Sequence, residues 1–151
     1  MTTRILGLLL LGLSLGACQK ETTEPTAPAT TTTPPAGTLT VVRKGIVQPQ
    51  GGVPSSGTVD LVRDTAGKEF LRFNADFMTD FHTGSLTIYL AKSAELIRVQ
   101  RGRGAENVLS VGVITQSGAQ VLAVPAASAG FSHVVLHCEP AQYNFGAAAL
   151  Q

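Results

Sequence analysis

Two cysteines, Cys18 and Cys138, carry the most reactive side chains of this sequence. If Cys18 is modified, Cys138 has no disulfide partner within the chain, and an unpaired thiol in an exported protein is unusual. One interpretation makes Cys138 a redox-active or metal-binding thiolate. The other makes it a small buried hydrophobe, as free cysteine often is. Strand alternation puts Cys138 on the apolar face with Val134 and Leu136, which favours burial and low reactivity.

Two histidines lie close to Cys138 in the sequence. His133 and His137 are four residues apart, so in a regular strand their Cα atoms are about 13 Å apart and both lie on the face opposite Cys138. One metal ion cannot reach both imidazoles at that distance, which excludes a His-His-Cys site unless a bulge intervenes. We therefore expect both histidines to be exposed on the surface.

A loop between two predicted strands offers oxygen and nitrogen ligands. Asp76, Asp80 and His82, together with Asn74, are weak candidates for a cation site. Their spacing does not match an EF-hand. Aspartate and asparagine are common turn residues, and the phenylalanines at 77 and 81 indicate a loop held by two core rings. We therefore expect no metal there.

The remaining charged residues do not form a recognisable catalytic pattern. The chain has 11 basic and 10 acidic residues, a balance that does not call for nucleic acid or an anionic surface. Arg98, Arg101 and Arg103 are expected in a solvated, flexible loop. We find no Ser-His-Asp order, paired carboxylates or phosphate-binding loop, so no catalytic residue, enzyme activity or cofactor is assigned. The acids are scattered over predicted strand ends and turns: Asp60, Asp64, Glu69, Glu95, Glu106 and Glu139.

The N-terminal residues 1–17 have the features of a secretory signal. One positive side chain, Arg4, precedes the apolar run Ile5–Leu15, which is too short for the roughly 20 residues of a membrane span. The segment Leu15-Gly16-Ala17-Cys18 resembles a bacterial lipobox. The resemblance implies cleavage before Cys18, diacylglyceryl transfer to its thiol and acylation of its amine. The alternative is an ordinary secretory signal followed by a cysteine at this position by chance.

Residues 18–37 are predicted to connect the lipid to a folded domain. Gln19, at the second position of the mature chain, favours the outer membrane, because an aspartate there would indicate inner-membrane retention. The segment is rich in threonine and proline and lacks leucine, isoleucine, valine and aromatic residues, so it is expected to be a disordered linker. In an extended polyproline conformation its part from Glu21 to Gly37 spans roughly 50 Å. The predicted location is the cell envelope, facing the periplasm or the cell surface.

Residues 38–151 are predicted to form one all-β domain, a small antiparallel β-sandwich. Leu86, Ile88 and Leu90 alternate with Thr87 and Tyr89, as in a half-buried strand. Tight turns at 64–67 and 116–118 are each expected to close a hairpin, and residues 91–99 are the one plausible helix. The predicted strands are Thr38–Arg43, Gly57–Asp64, Glu69–Asn74, Ser85–Leu90, Val108–Thr115, Ala119–Val124, Ser132–Cys138 and Tyr143–Phe145.

Most of this domain, from about Gly57 to Leu150, resembles the DM-thirteen domain, an extracellular module also found beside DOMON domains. The resemblance is carried by Gly57-Thr58-Val59, Leu71-Arg72-Phe73-Asn74-Ala75-Asp76-Phe77, Leu86-x-Ile88-Tyr89-Leu90, Gly118-x-Gln120-x-Leu122-x-Val124-Pro125, and Val134-Val135-Leu136-His137-Cys138 followed by Phe145-Gly146-x-Ala148-x-Leu150. The chain departs from the family at five positions: Gly84 and Ser85 replace proline and aspartate, His137 replaces tryptophan, Leu122 replaces tyrosine, and Ala141 replaces an aromatic residue.

Two functions compete at this stage. The first is a lipid-anchored envelope module that binds an envelope protein or a glycan and has a binding or structural role. The second is a redox protein in which Cys138 exchanges electrons or holds a cofactor. The unpaired thiol favours it, and so does the resemblance, since the family's proposed role is electron transfer centred on the cysteine that matches Cys138. Both place the protein at the membrane through its lipid anchor.

Overall fold

The computed structural model describes residues 34–151. The predicted signal peptide, Cys18 and the tether up to residue 33 lie outside the described residues. Within 34–151 the chain forms nine strands, one α-helix and a short 3₁₀ turn at Ala105–Asn107. The elements are β1 Thr40–Ile46, β2 Gln48–Pro49, β3 Thr58–Arg63, β4 Glu69–Phe73, β5 Leu86–Ala91, α1 Ile97–Arg103, β6 Val108–Ile114, β7 Gln120–Ala123, β8 His133–Cys138 and β9 Tyr143–Ala149.

The strands form two antiparallel sheets packed face to face. The first sheet has the order β1-β3-β4-β7 and the second has the order β2-β9-β8-β5-β6. The predicted all-β sandwich is therefore confirmed. No helix within residues 34–151 is both long and apolar enough to span a membrane.

The core lies between the sheets and follows the two-residue period of the strands. Leu61 and Leu71 of the first sheet face Ile88 and Leu136 of the second, and all four are fully buried. Of the two rings predicted to hold the loop after β4, Phe77 is fully buried, whereas Phe81 is only partly buried and packs against the core.

The outer face of the second sheet is covered by the segment that connects β5 to β6. Ile97 of α1 packs there against Tyr89, Val135 and Ala147 in a second, smaller apolar cluster. Because both faces of this sheet are covered, every residue of β8 from Val134 to Cys138 is buried. The pattern of β8 is thus that of a fully buried strand, with no polar face turned to solvent.

Strand direction defines two ends of the sandwich. Thr40 pairs with Arg63, so β1 begins beside the β3–β4 hairpin, and we call this side the tether end. The opposite side, with the turns at 50–56, 74–85, 115–119 and 139–142, is called the distal end. At the tether end Ala36 is held by the hairpin: its N–H donates to Asp64 Oδ2 at 3.0 Å, and its carbonyl accepts bonds from Thr65 N and Oγ1.

Two secondary-structure predictions are wrong: the strands joined by one turn do not pair, and the helix lies at a different position. The turn at 116–118 does not close a hairpin, because β6 is at the edge of the second sheet and β7 is at the edge of the first. The predicted helix at 91–99 is displaced to Ile97–Arg103, since Ala91 still pairs with His133 and Val108 at the end of β5. The buried Gln100 side chain then donates to two carbonyls of the intervening turn and fixes where the helix begins.

Candidate functional site

Cys138 lies in the apolar core between the sheets. Its side chain is fully buried beside Val134 and Leu136, on the face that strand alternation predicts. It is the only cysteine among residues 34–151. A thiol enclosed in this way meets an external reagent or redox partner only when the fold opens.

The candidate metal ligands of the 74–85 loop are held apart by separate hydrogen bonds. Asp76 accepts bonds from Thr58 N at 3.2 Å and Thr58 Oγ1 at 2.9 Å, which ties it to the start of β3. Asp80 instead accepts the N–H of His82 at 2.8 Å and contacts its ring, while His82 is almost fully exposed. No cluster of three or more His, Cys, Asp or Glu side chains suited to a metal ion occurs within residues 34–151.

The histidines of β8 differ from the expectation of surface exposure. His133 is half-buried and contacts Ser132 Oγ at 2.8 Å, and partial burial lowers its pKa. His137 is fully buried, so the predicted exposure is wrong for this residue. The cause is the segment before α1, whose backbone covers this face of the sheet, where Asn144 donates to the carbonyls of Ala94 and Glu95.

His137 belongs to a polar cluster that extends from the buried face of the second sheet to solvent. Its Nδ1 lies 2.9 Å from Asn144 Oδ1 on the neighbouring strand, and its ring meets Tyr89 edge to face with centroids 6.0 Å apart. The Tyr89 hydroxyl contacts Glu139 Oε1 and accepts from Arg101, whose guanidinium lies 4.9 Å from the ring centroid. We call these five residues the His137 cluster.

The charges of this cluster are set by burial and by the bonds within it. Burial and the hydrogen bond to Glu139 raise the pKa of Tyr89 to about 12, so the phenol is neutral at physiological pH. Burial opposes ionisation of Glu139, but the bond from Tyr89, the neighbouring His137 and Arg101, and the bond from Gln142 lower its pKa overall. Near neutral pH the cluster therefore contains a carboxylate, a guanidinium and a phenol.

The basic residues are ordered, contrary to the predicted flexible loop. Arg98, Arg101 and Arg103 all lie in α1. Arg101 reaches Tyr89, and Arg103 forms an ion pair with Glu95. The helix that carries them is anchored by Ile97, which packs into the apolar cluster on the outer face of the second sheet.

A cleft of about 640 Å³ opens beside the distal half of β1. The buried Asp60 contributes to its wall and accepts hydrogen bonds from Arg72 Nη2 at 2.6 Å and Asn74 Nδ2 at 3.2 Å. Asp60 lies within β3 and not at a strand end as predicted. The cleft combines donors, acceptors and one exposed apolar side chain: Lys44, Ile46, Gln48, Thr58, Asp60, Asn74 and Gln151. We call it the β1 cleft.

The sequence analysis did not single out Tyr89, Asn144 or the β1 cleft. The one available signal was His137 itself, a titratable residue within an apolar run. No family model, curated protein or solved structure matches this chain. The resemblance to the DM-thirteen domain therefore stays a prediction from the motifs.

Proposed function

We propose that this protein is a lipid-anchored module of the bacterial cell envelope, acylated at Cys18 and held in the outer membrane. Its role in this proposal is to present a rigid β-sandwich that binds an envelope protein or a glycan. The signal sequence and lipobox-like segment support export and anchoring, and two or more acyl chains would make the attachment stable.

The β1 cleft is the observation that carries the binding role. It is open to solvent and has a charged amine in Lys44, a carboxylate in Asp60 and amides in Gln48 and Asn74. Polar groups of both kinds around a concave surface are typical of a site that orients a polar ligand. The buried thiol of Cys138 offers no comparable surface, which favours binding over redox chemistry.

The position of the cleft relative to the anchor fits presentation. The chain enters the sandwich at Ala36, beside the β3–β4 hairpin. From Thr40 to Ile46, β1 then advances by six residues, or about 20 Å, away from that end. A partner could thus approach the cleft without contacting the entry point of the tether.

Anchoring is tested on the full chain expressed in a bacterial envelope. We expect the mature N-terminal peptide to contain an acylated Cys18, and Cys18→Ala to leave the membrane fraction. Cys138→Ala is the matched control and should stay membrane-bound. An unmodified Cys18 in the native protein, or a Cys18→Ala variant that fractionates like wild type, would contradict the anchor.

Binding is tested by photocrosslinking in intact cells. A photoreactive amino acid is placed at Ile46, which lines the β1 cleft and is 64% exposed, and separately at Val113, which is 48% exposed on edge strand β6. We expect a discrete adduct with an envelope component from position 46 and none from position 113. Equal labelling from both positions, or none from position 46, would count against the cleft.

A further inference from the structure

We infer that His137 and Glu139 form a binding site for a borderline divalent transition-metal ion of the Cu²⁺ or Zn²⁺ class. The site lies at the distal end of the second sheet, where β8 passes into the turn before β9. Its two donor atoms are His137 Nε2 and Glu139 Oε2. It is separate from the β1 cleft and independent of the function proposed above.

Asn144 determines which nitrogen of His137 carries the proton in the neutral imidazole. The Asn144 amide nitrogen donates to the carbonyls of Ala94 at 3.3 Å and Glu95 at 3.1 Å. The amide oxygen must therefore be the atom that faces His137 Nδ1, and an amide oxygen can only accept. Nδ1 carries the hydrogen, and Nε2 presents a bare lone pair.

That lone pair has no hydrogen-bond partner among the described residues. Nε2 is buried, and Glu139 Oε2 lies 3.9 Å from it. In the neutral imidazole Nε2 is an acceptor, and the carboxylate oxygen that it faces is also an acceptor, so no hydrogen bond can form between them. Buried acceptors are paired in nearly all native structures, and a cation bound between the two atoms would give Nε2 its partner.

The separation of the two atoms is close to that of a metal bridge. Zinc binds imidazole nitrogen at about 2.0–2.1 Å and carboxylate oxygen at about 2.0–2.2 Å, so a tetrahedral ion joins donors about 3.4 Å apart. The observed 3.9 Å exceeds this by about 0.5 Å, a distance that a rotation of the partly exposed Glu139 side chain can supply. Glu139 is 39% exposed, so the ion's other coordination positions can be filled from solvent. One nitrogen and one oxygen donor favour Cu²⁺ or Zn²⁺ over Ca²⁺ or Mg²⁺.

Both donors are oriented by neighbours, as the ligands of metal sites usually are. Asn144 fixes the imidazole, and Tyr89 bonds the other carboxylate oxygen, Oε1. Arg101 also lies on the Oε1 side, at 3.7 Å, which leaves Oε2 directed toward His137. The weak contact from Gln142 Nε2 to Oε2, at 3.3 Å, is the one bond an ion would have to displace.

The test titrates Cu²⁺ alone into the acylated full chain in detergent, because a free N-terminal amine would itself bind copper. Electron paramagnetic resonance reports whether an imidazole nitrogen coordinates the ion, and Zn²⁺ competition reports the shared site. We expect one equivalent bound with one nitrogen, lost in His137→Gln and weakened at least tenfold in Glu139→Gln. The half-exposed position of Glu139 makes this second variant informative if His137→Gln fails to fold.

His82→Ala and His133→Ala are the matched controls, since they remove the two other histidines of the described chain. Both should bind copper as the wild type does. The inference is overturned if the wild type takes up no copper, if either control loses the nitrogen signal, or if Glu139→Gln binds with unchanged affinity. A nitrogen NMR titration showing that His137 takes up a proton but no metal would also overturn it.

Discussion

The buried position of Cys138 makes a quantitative prediction about its reactivity. If the thiol is reached only when the domain unfolds, labelling is slowed by the equilibrium constant of unfolding. A domain stability of about 5 kcal/mol, near the lower end for native proteins, corresponds to a slowing of roughly 4,000-fold. We therefore expect a colourimetric thiol reagent at neutral pH to leave Cys138 unlabelled in native protein and to label one equivalent in urea.

Substitutions of Cys138 measure how much stability is lost when a polar group is buried at this position. Cys138→Ala deletes one buried heavy atom and is expected to cost about 1 kcal/mol. Cys138→Ser places an unpartnered hydroxyl in the cluster with Val134 and Leu136, at a cost of about 2–3 kcal/mol. The serine variant should therefore melt roughly 4–8 °C below the alanine variant.

Two outcomes would refute this reasoning. Native labelling within a few-fold of the rate in urea would show that the thiol is accessible and would restore the redox hypothesis. A serine variant as stable as the alanine variant would show that a polar partner is present at that position. A redox role would also require a reversible oxidation of the native domain that Cys138→Ala abolishes, which burial alone does not predict.

Three further predictions concern local features. Gly57→Ala should destabilise the domain by more than about 2 kcal/mol in urea denaturation. Gly57 has a φ of +101°, and an added Cβ would lie 2.5 Å from the backbone of a neighbouring loop. Gly67→Ala is the control: Gly67 has a φ of +80° with open space around it, so this substitution should cost about 1 kcal/mol. The hydrogen bond from the backbone N–H of Ala36 lowers the pKa of Asp64 below its usual 3.8. The Asp64 carboxylate therefore stabilises the fold above pH 3.8, and this contribution is lost as the pH falls through the lowered pKa. Asp64→Asn should flatten the acid limb of a stability–pH profile. Ultraviolet titration should show Tyr89 ionising near pH 12, and replacement of Arg101 by methionine should move that transition higher, since the guanidinium favours the phenolate.

Local sequence pattern was enough to predict the strands that carry the core. β5 alternates apolar and polar side chains, and β3 and β4 are joined by a turn with glycine at φ +80°, so these elements were predicted with correct type and approximate bounds. The burial of Cys138 followed from the same periodicity, whereas the burial of Phe77 was expected from an aromatic residue among the turn residues of a loop. β9 was predicted too short, because the small residues 146–149 have little intrinsic preference for a strand and are held by pairing with β8.

The errors arise where one element covers another. Strand alternation places His137 correctly on the outer face of its sheet, but it cannot show that the segment 92–103 covers that face. The pairing of β6 and β7 failed for a related reason. A three-residue turn is compatible with a hairpin, yet here it joins edge strands of two sheets, with Gly118 N–H bonded to the carbonyl of Phe77. The His137 cluster depends on the first of these arrangements, so sequence alone could name His137 but not its partners.

The attachment of Ala36 to the β3–β4 hairpin has a mechanical consequence. A force applied through the tether reaches the sandwich first at the bonds between Ala36 and the two hairpin residues Asp64 and Thr65. Beyond them the load would act along the axis of β1, so that its hydrogen bonds to β3 are sheared together and not opened one at a time. The strand that receives the tether is thus also the one placed to resist extraction of the domain under tension.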